Sequence, residues 1–403
     1  MLGISSFRAG VSRPRTSRAE ERNAERRQWA VDFRSLGLKR IETWAWSRDL
    51  QPHLTGYENL AFSGNDLLLA SFRTPEGKSY SPWRVTVVLL DAARGTVLAT
   101  KEWSTREREL GLFSTRAGKF IVRTDERPPD APLRPKREIV LYSPKLEALK
   151  VISLQSSAPE EYEIWRAYVT PTRRSIVLEH GLGTGSEFQW LDPARGIEVQ
   201  WLDPDTLQPK ANWAWTGPQT PFPSDTGLHF SDGSIVATIR NRAKLSTGEK
   251  ASCEIYVRSI DGPWKPLFRS EDFRCSIAQF VNEDTVVLSV GEKVHLLRID
   301  GRALTDQRLG KDEFAHEVRP SANGRRFAIA VATLKGGNAL LDISSHEVLK
   351  RIMVFDLSTN SWVYSMDSKT MDLKYVSGFA LSPDGLRLAV MSNGFVELYG
   401  LPD

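Results

Sequence analysis

"SGFALSPDGLRLAVMS" (residues 377–392) is a short strand, a polar turn and a second strand that is apolar almost throughout. Ser382-Pro383-Asp384-Gly385 supplies the backbone angles of a tight hairpin. An apolar run without polar alternation marks a strand covered on both faces. The same plan recurs in "NLAFSGNDLLLASF" (59–72), "GLFSTRAGKFIVRT" (111–124), "WRAYVTPTRRSIVLEH" (165–180), "GLHFSDGSIVATIR" (227–240), "IAQFVNEDTVVLSV" (277–290) and "HEVRPSANGRRFAIAVA" (316–332). A second hairpin follows each of the first six copies. Examples are "RVTVVLLDAARGTVLATKEW" (84–103), "EVQWLDPDTLQPKANWAW" (198–215) and "RIMVFDLSTNSWVYSMD" (351–367). The unit is therefore four antiparallel strands, recurring at uneven intervals of roughly 40 to 60 residues. That is the plan of a propeller blade with variable loops.

The seventh copy lacks a fourth strand after "FVELYGL" (395–401), whereas "LKRIETWAW" (38–46) precedes the first blade and matches the fourth-strand copy "LQPKANWAW" (207–215). The expected fold is an all-β, seven-bladed propeller over residues 38–403, with residues 38–46 completing the last blade and leaving no open edge between the ends of the ring. Residues 1–37 form a basic tail, partly helical or disordered. Ser17 and Glu20 make a capping box, Gly37 can end a helix, and Trp29, Phe33 and Leu36 would share one side of it. Such a helix could dock on the propeller or recruit an acidic partner; simple solvation, or a position upstream of the structured start, is the plainer expectation.

The Ser-Pro-Asp-Gly hairpin and its relatives resemble the bacterial WD40-like and TolB-type (YVTN-like) β-propeller repeats, in which this turn joins the inner two strands. Only the last blade carries the full tetrapeptide, the sixth has Ser321-Ala322-Asn323-Gly324, and the Gly-His and Trp-Asp pairs of eukaryotic WD40 repeats are absent. The resemblance implies binding, scaffolding or, in some members, lactone hydrolysis. Fold alone does not choose among these.

Composition narrows the field. The 403 residues are 40% hydrophobic and 26% charged, as in globular proteins with a sizeable core. No apolar run approaches the ~18 residues of a membrane span. Residues 1–30 lack a secretory apolar segment, so the chain as written reads as cytoplasmic; an exported or periplasmic protein is the alternative if translation starts upstream of Met1. The formal charge is +4, but ten basic and four acidic residues fall within 1–40, so that segment carries +6 and the remainder −2. A nucleic-acid surface needs basic charge clustered on the folded domain, and none is expected here.

Loop length distinguishes the two faces. The turns joining strands one and two, and three and four, are tight and share a face. The links joining strands two and three lie opposite and are long in five blades: 73–82, 124–136, 181–197, 241–252 and 333–350. Long loops of this kind tend to carry function, although loops also lengthen harmlessly on exposed surfaces. These links gather Arg73, Tyr80 and Trp83, Phe188 and Trp190, and Arg240 and Arg242, as candidate binding residues, since Arg and aromatic side chains dominate hot spots. Glu58, Asn59, His316 and Glu317 open first strands and are placed at the channel mouth. "HGLGTGS" (180–186) lacks the following helix of a phosphate loop and reads as an inter-strand loop. The six histidines show no zinc spacing, and no Gly-x-Ser-x-Gly elbow occurs. No catalytic residue, metal or cofactor is therefore expected. Cys253 starts the third strand of blade four and Cys275 precedes the first strand of blade five; both strands start on the long-link face, so the two thiols can approach one another, with a disulfide expected only in an exported protein. The expected protein is a monomeric, non-catalytic propeller that binds a protein, peptide or glycan, without membrane insertion. The alternative is a lactonase-like hydrolase acting at the channel mouth.

Overall fold

The computed structural model describes residues 25–33, 60–75, 83–105, 110–126, 136–154, 163–182, 197–214, 226–241, 252–271, 275–335, 346–367, 376–392 and 394–403. They contain twenty-eight strands in seven four-stranded antiparallel sheets. Blades 1 to 6 follow in chain order over 60–105, 110–153, 163–214, 226–270, 275–308 and 313–367, each pairing its strands in sequence. Blade 7 combines Val376–Leu381, Arg387–Ser392 and Phe395–Gly400 with Arg27–Asp32 as its outermost strand.

Packing explains the near-continuous apolar second strands. Seven buried clusters fill the seven gaps between neighbouring blades. Successive residues of one strand serve opposite gaps: Leu68 and Ala70 pack toward blade 7, and Leu69 toward blade 2. Thr285–Val290 is buried at every position. Such a strand has no solvent face on which polar residues could alternate.

The closing strand differs from the sequence expectation. Residues 38–46 lie outside the described set, and the blade is completed by Arg27–Asp32, inside the stretch read as a tail with helical character. Among the described residues of that stretch, Glu25 and Arg26 are helical and the strand follows directly. Arg27 pairs with Tyr399 and Asp32 with Phe395, so the open edge of Phe395–Gly400 receives its ladder. In "WAVDF", Trp29, Val31 and Phe33 alternate with period two; Trp29 and Val31 pack on the blade 7–blade 1 cluster and Phe33 is a fully buried member of it. An available edge and an apolar slot hold Arg27–Asp32 as a strand. Trp29 Nε1 also donates to Ala92 O of blade 1 at 3.0 Å, and the Phe33 and Phe72 rings lie 5.1 Å apart.

A further regularity is invisible in the repeat alignment. Every blade carries a one-residue irregularity between its third and fourth strands, leaving Gln28, Leu98, Leu149, Lys210, Leu267, Leu304 and Val363 without a directly opposed partner. A bulge bends the outer strand and interrupts its free edge, which discourages edge-to-edge association with another sheet.

Inside blade 6, Arg326 and Asp356 are fully buried register partners, with Arg326 Nε donating to Asp356 Oδ2 at 2.7 Å and Nη1 to Gly385 O of blade 7 at 3.0 Å. Burial opposes ionisation of Asp356, but hydrogen bonds from Ser358, Arg326 and Arg325 outweigh it and hold the carboxyl well below the usual range. The stability this contributes is present above the unfolded-state value of ~4 and is lost only as pH falls toward the depressed native value. Asp356→Ala leaves the buried guanidinium without its charge partner, and denaturant unfolding near neutral pH should show a loss of about 3–5 kcal/mol.

Gly95 tests the ring closure. Its φ of +70° is left-handed, and an added Cβ would lie 2.7 Å from the Trp29 ring. Gly95→Ala should lower stability by at least ~1 kcal/mol from the backbone alone, and Phe33→Ala by about 3–5 kcal/mol. Unchanged thermal unfolding for both variants would mean that this strand does not close the ring.

Candidate functional site

The meander puts all first-to-second and third-to-fourth turns on one face and the long links on the other. The tight-turn face is engaged in joining blades. Ser63 Oγ of blade 1 donates to Lys119 O of blade 2 at 3.1 Å. Arg173 of blade 3 reaches Ser114 Oγ of blade 2 and Phe62 O of blade 1. Thr170 and Thr172 of blade 3 donate to the Asp232 carboxylate of blade 4 at 2.7 and 2.5 Å. Asp232 N donates to Glu283 Oε2 of blade 5 at 3.2 Å, and Asn282 Nδ2 to Gly324 O of blade 6 at 3.3 Å. Asn323 Nδ2 continues to Asp384 O of blade 7 at 2.9 Å, and Asp384 N returns to Asn65 Oδ1 of blade 1 at 3.2 Å. The belt is unbroken: each of the seven neighbouring pairs is joined by at least one hydrogen bond.

Two arginines also reach non-adjacent blades at this end. Arg116 Nη2 of blade 2 donates to Ala322 O of blade 6 at 3.1 Å, a contact between non-adjacent inner turns that runs across the ring axis. Arg173, almost fully buried, links blade 3 to blade 1 past blade 2. The sequence reading missed both residues; a basic side chain inside a tight inner turn was the available signal.

The inner wall is polar in places. In blade 3, Glu179 is buried opposite Arg166, with Nη1 of Arg166 3.6 Å away and Tyr168 Oη donating to it at 2.8 Å. Burial pushes the Glu179 carboxyl up against the opposing effects of Arg166 and Tyr168. Burial, and then the Glu179 charge, raise Tyr168. On the other face of the blade, His180 stacks on Trp165 at 4.1 Å.

The residues singled out from the sequence are spread over several blades. Arg73 and Trp83 stand at the long-link ends of adjacent strands in blade 1, where Arg73 is opposite Val85 and Trp83 opposite Pro75. Arg240 stands opposite Cys253 in blade 4, which is not a neighbour of blade 1. Tyr80, Phe188, Trp190, Arg242, Glu58 and Asn59 lie outside the described residues. His316 is a bulge residue between Ala315 and Glu317, and the Glu317 carboxylate is paired with Arg319. Comparable bulges place Ser276 and Ser377 at the same end of the first strands of blades 5 and 7. Three successive blades are thus irregular where they meet the long-link face, a position at which bulges commonly re-aim side chains. Cys253 and Cys275 form a disulfide between blades 4 and 5, with Cα atoms 6.2 Å apart. Among the described residues no group of three or more His, Cys, Asp or Glu could hold a metal ion, and no helix is long and apolar enough to cross a membrane.

No family model and no curated protein matches the chain. Among solved structures, a chain in "Crystal Structure of Mitotic Checkpoint Complex" is similar at 10% identity and a TM-score of 0.49, with all of both chains covered. The C-terminal WD40 domain of Sif2 is similar at 13% identity, covering 86% of this chain and 97% of that one, with a TM-score of 0.45. The Dos1 propeller is similar at 12% identity, covering 86% and 92%, with a TM-score of 0.43. The seven-bladed architecture stands on the strand topology and not on these distant likenesses.

The disulfide closes a loop of 22 residues between buried positions. Replacing both cysteines by serine should destabilise the protein by roughly 3 kcal/mol through loop entropy restored to the unfolded chain. Denaturant unfolding of the double variant, beside alkylation and mass measurement of the parent, checks this.

Proposed function

We propose that this protein is a non-catalytic binding or scaffolding propeller of the TolB-like type, engaging a protein, peptide or glycan on its long-link face. The observation that carries the reading is the asymmetry of the two faces. On the tight-turn side, polar groups are committed to the inter-blade belt, with Arg116 joining blade 2 to blade 6 and Arg173 joining blade 3 to blades 2 and 1. A ligand there would have to displace hydrogen bonds that hold the ring together. The opposite face bears the long links, the three bulged first strands and the wider sequence variety that recognition needs.

The working compartment is proposed to be oxidising. Cys253 and Cys275 are both buried and joined, and structural disulfides between buried cysteines are a feature of proteins outside the reducing cytosol. This supports the exported or periplasmic alternative to the cytoplasmic reading of the sequence.

Replacing residues 183–196 and 336–345 with short turns should leave thermal unfolding and the belt intact and abolish capture of the partner that the parent retains. Cross-linking should place partner contacts beside Arg73, Arg240 and His316. Contacts mapping instead to the tight turns Asp91–Gly95 or Asp356–Asn360 would overturn the assignment of the working face.

A further inference from the structure

The junction between blades 4 and 5 is built unlike the other six. At the long-link end it is covalent, through Cys253 and Cys275. At the tight-turn end its belt contact brings two carboxyl groups together, Asp232 from blade 4 and Glu283 from blade 5. We propose that this junction is a proton-sensitive seam, closed at the tight-turn end by a proton shared between Asp232 and Glu283 and held at the other end by the disulfide.

Geometry determines which carboxyl keeps the proton. Asp232 Oδ1 and Oδ2 accept from Thr170 and Thr172, so its ionised form is well solvated by hydroxyls. Glu283 Oε2 accepts from Asp232 N at 3.2 Å, and against the Asp232 carboxylate its ionised form has only that amide and a hydrogen bond from Thr172. Among the charged neighbours, Arg173 on the blade 3 turn donates to blades 1 and 2, and Asp284, beside Glu283, pairs with Arg298 at 2.5 Å. Asp232 is the charge that acts to raise Glu283. Burial is the largest influence on Glu283, followed by the hydrogen bond and charge of Asp232; together they raise it to about 7. Burial also opposes ionisation of Asp232, but hydrogen bonds from Thr172, Glu283, Thr170 and Ser175 outweigh it and keep this carboxyl below its ordinary value.

The sign follows from linkage. A carboxyl raised in the native state binds its proton more tightly there than in the open chain. Its contribution is complete below the unfolded value of ~4.5 and is lost as pH rises through about 7. Above that, two negative groups face each other across the seam. The tight-turn end loosens, while the disulfide limits how far the blades part.

Hydrogen exchange of the intact protein, corrected for the intrinsic pH dependence of exchange, tests the seam. Amides of the 231–234 and 282–285 turns should exchange on the order of tenfold faster at pH 8 than at pH 5. A tenfold change in proton affinity accompanies each pH unit by which a pKa moves, and partial solvent exposure keeps the response below the full displacement of Glu283. The equivalent turns at 321–324 and 382–385 should show no such change. Glu283→Gln should abolish the difference. Asp232→Asn should move the midpoint toward lower pH by removing the opposing charge, which gives a second readout if the first variant folds poorly. Reducing the disulfide should enlarge the response at pH 8. A corrected exchange rate that is independent of pH in the parent, or a midpoint unchanged in Asp232→Asn, would overturn the proposal.

Discussion

A ring of sheets has no central core. Each blade is a thin antiparallel sheet whose two faces are apolar, and each face is buried only by a neighbour. The pairing of Arg27–Asp32 with Phe395–Tyr399 is therefore the contact on which the remaining six junctions depend. It joins the two ends of the described chain in one sheet, and it places Trp29, Val31 and Phe33 in the cluster shared by blades 7 and 1. Without it, the outer edge of blade 7 would be open and that cluster would lose the fully buried Phe33. The polar side of the closing strand is also used: Arg27 pairs with Glu397 at 2.9 Å, and Tyr399 Oη donates to the same carboxylate. Closure therefore combines backbone ladder, apolar slot and charge, with no one of them sufficient alone.

Once the ring is closed, its two faces are free to specialise. The tight-turn face joins every pair of neighbouring blades through short polar side chains and backbone carbonyls. Individual hydrogen bonds of this kind contribute only ~1 kcal/mol each, but leaving a buried partner unpaired costs more than the bond contributes. The belt is consequently more important for fixing the angle between blades than for its summed energy. Ser, Thr, Asn and Asp suit it because their side chains reach across a turn and also stabilise the turn itself. Ser382, for instance, donates to Asp384 while its oxygen accepts from Arg387 N. A face with these duties can tolerate little variation. The opposite face carries links of very different lengths, and variation there leaves the belt untouched.

Much of this was legible in the sequence for a physical reason. A doubly covered strand has to be apolar throughout, and a tight hairpin requires Gly, Asn or Asp, so seven copies of the inner hairpin were visible from "NLAFSGNDLLLASF" to "SGFALSPDGLRLAVMS". The outer strand was harder to read. It is half exposed, its burial alternates, and its bulge breaks the register, so residue similarity pointed to "LKRIETWAW" while "RQWAVD" read as part of a helical tail. The spacing of Trp29, Val31 and Phe33 is what fits the slot. Cys253 and Cys275 could be placed at neighbouring strand starts by counting strands, because antiparallel order fixes which end of each strand lies on which face. The belt, the arginines that reach non-adjacent blades and the Asp232–Glu283 contact were not legible. They depend on which turn side chains converge at the axis, and a linear repeat carries no record of that.

Charged groups in the ring fall into two arrangements with opposite consequences. At Arg326 and Asp356, a buried carboxylate faces a buried guanidinium and accepts from neighbouring hydroxyl and amide groups, so its ionised form is the stable one across ordinary pH. At Asp232 and Glu283, two like groups meet, and Asp232 has first claim on the hydroxyls of Thr170 and Thr172. The first arrangement makes a joint indifferent to pH above the carboxylate range; the second ties a joint to the availability of a proton. Both lie on the tight-turn side of the ring; the first ties two strands within blade 6 and reaches Gly385 of blade 7, whereas the second stands between blades 4 and 5. A belt composed wholly of the first kind would hold every inter-blade angle fixed. One junction of the second kind, stapled at its far end by Cys253 and Cys275, confines any change of angle to a single seam and leaves the other six as its rigid frame.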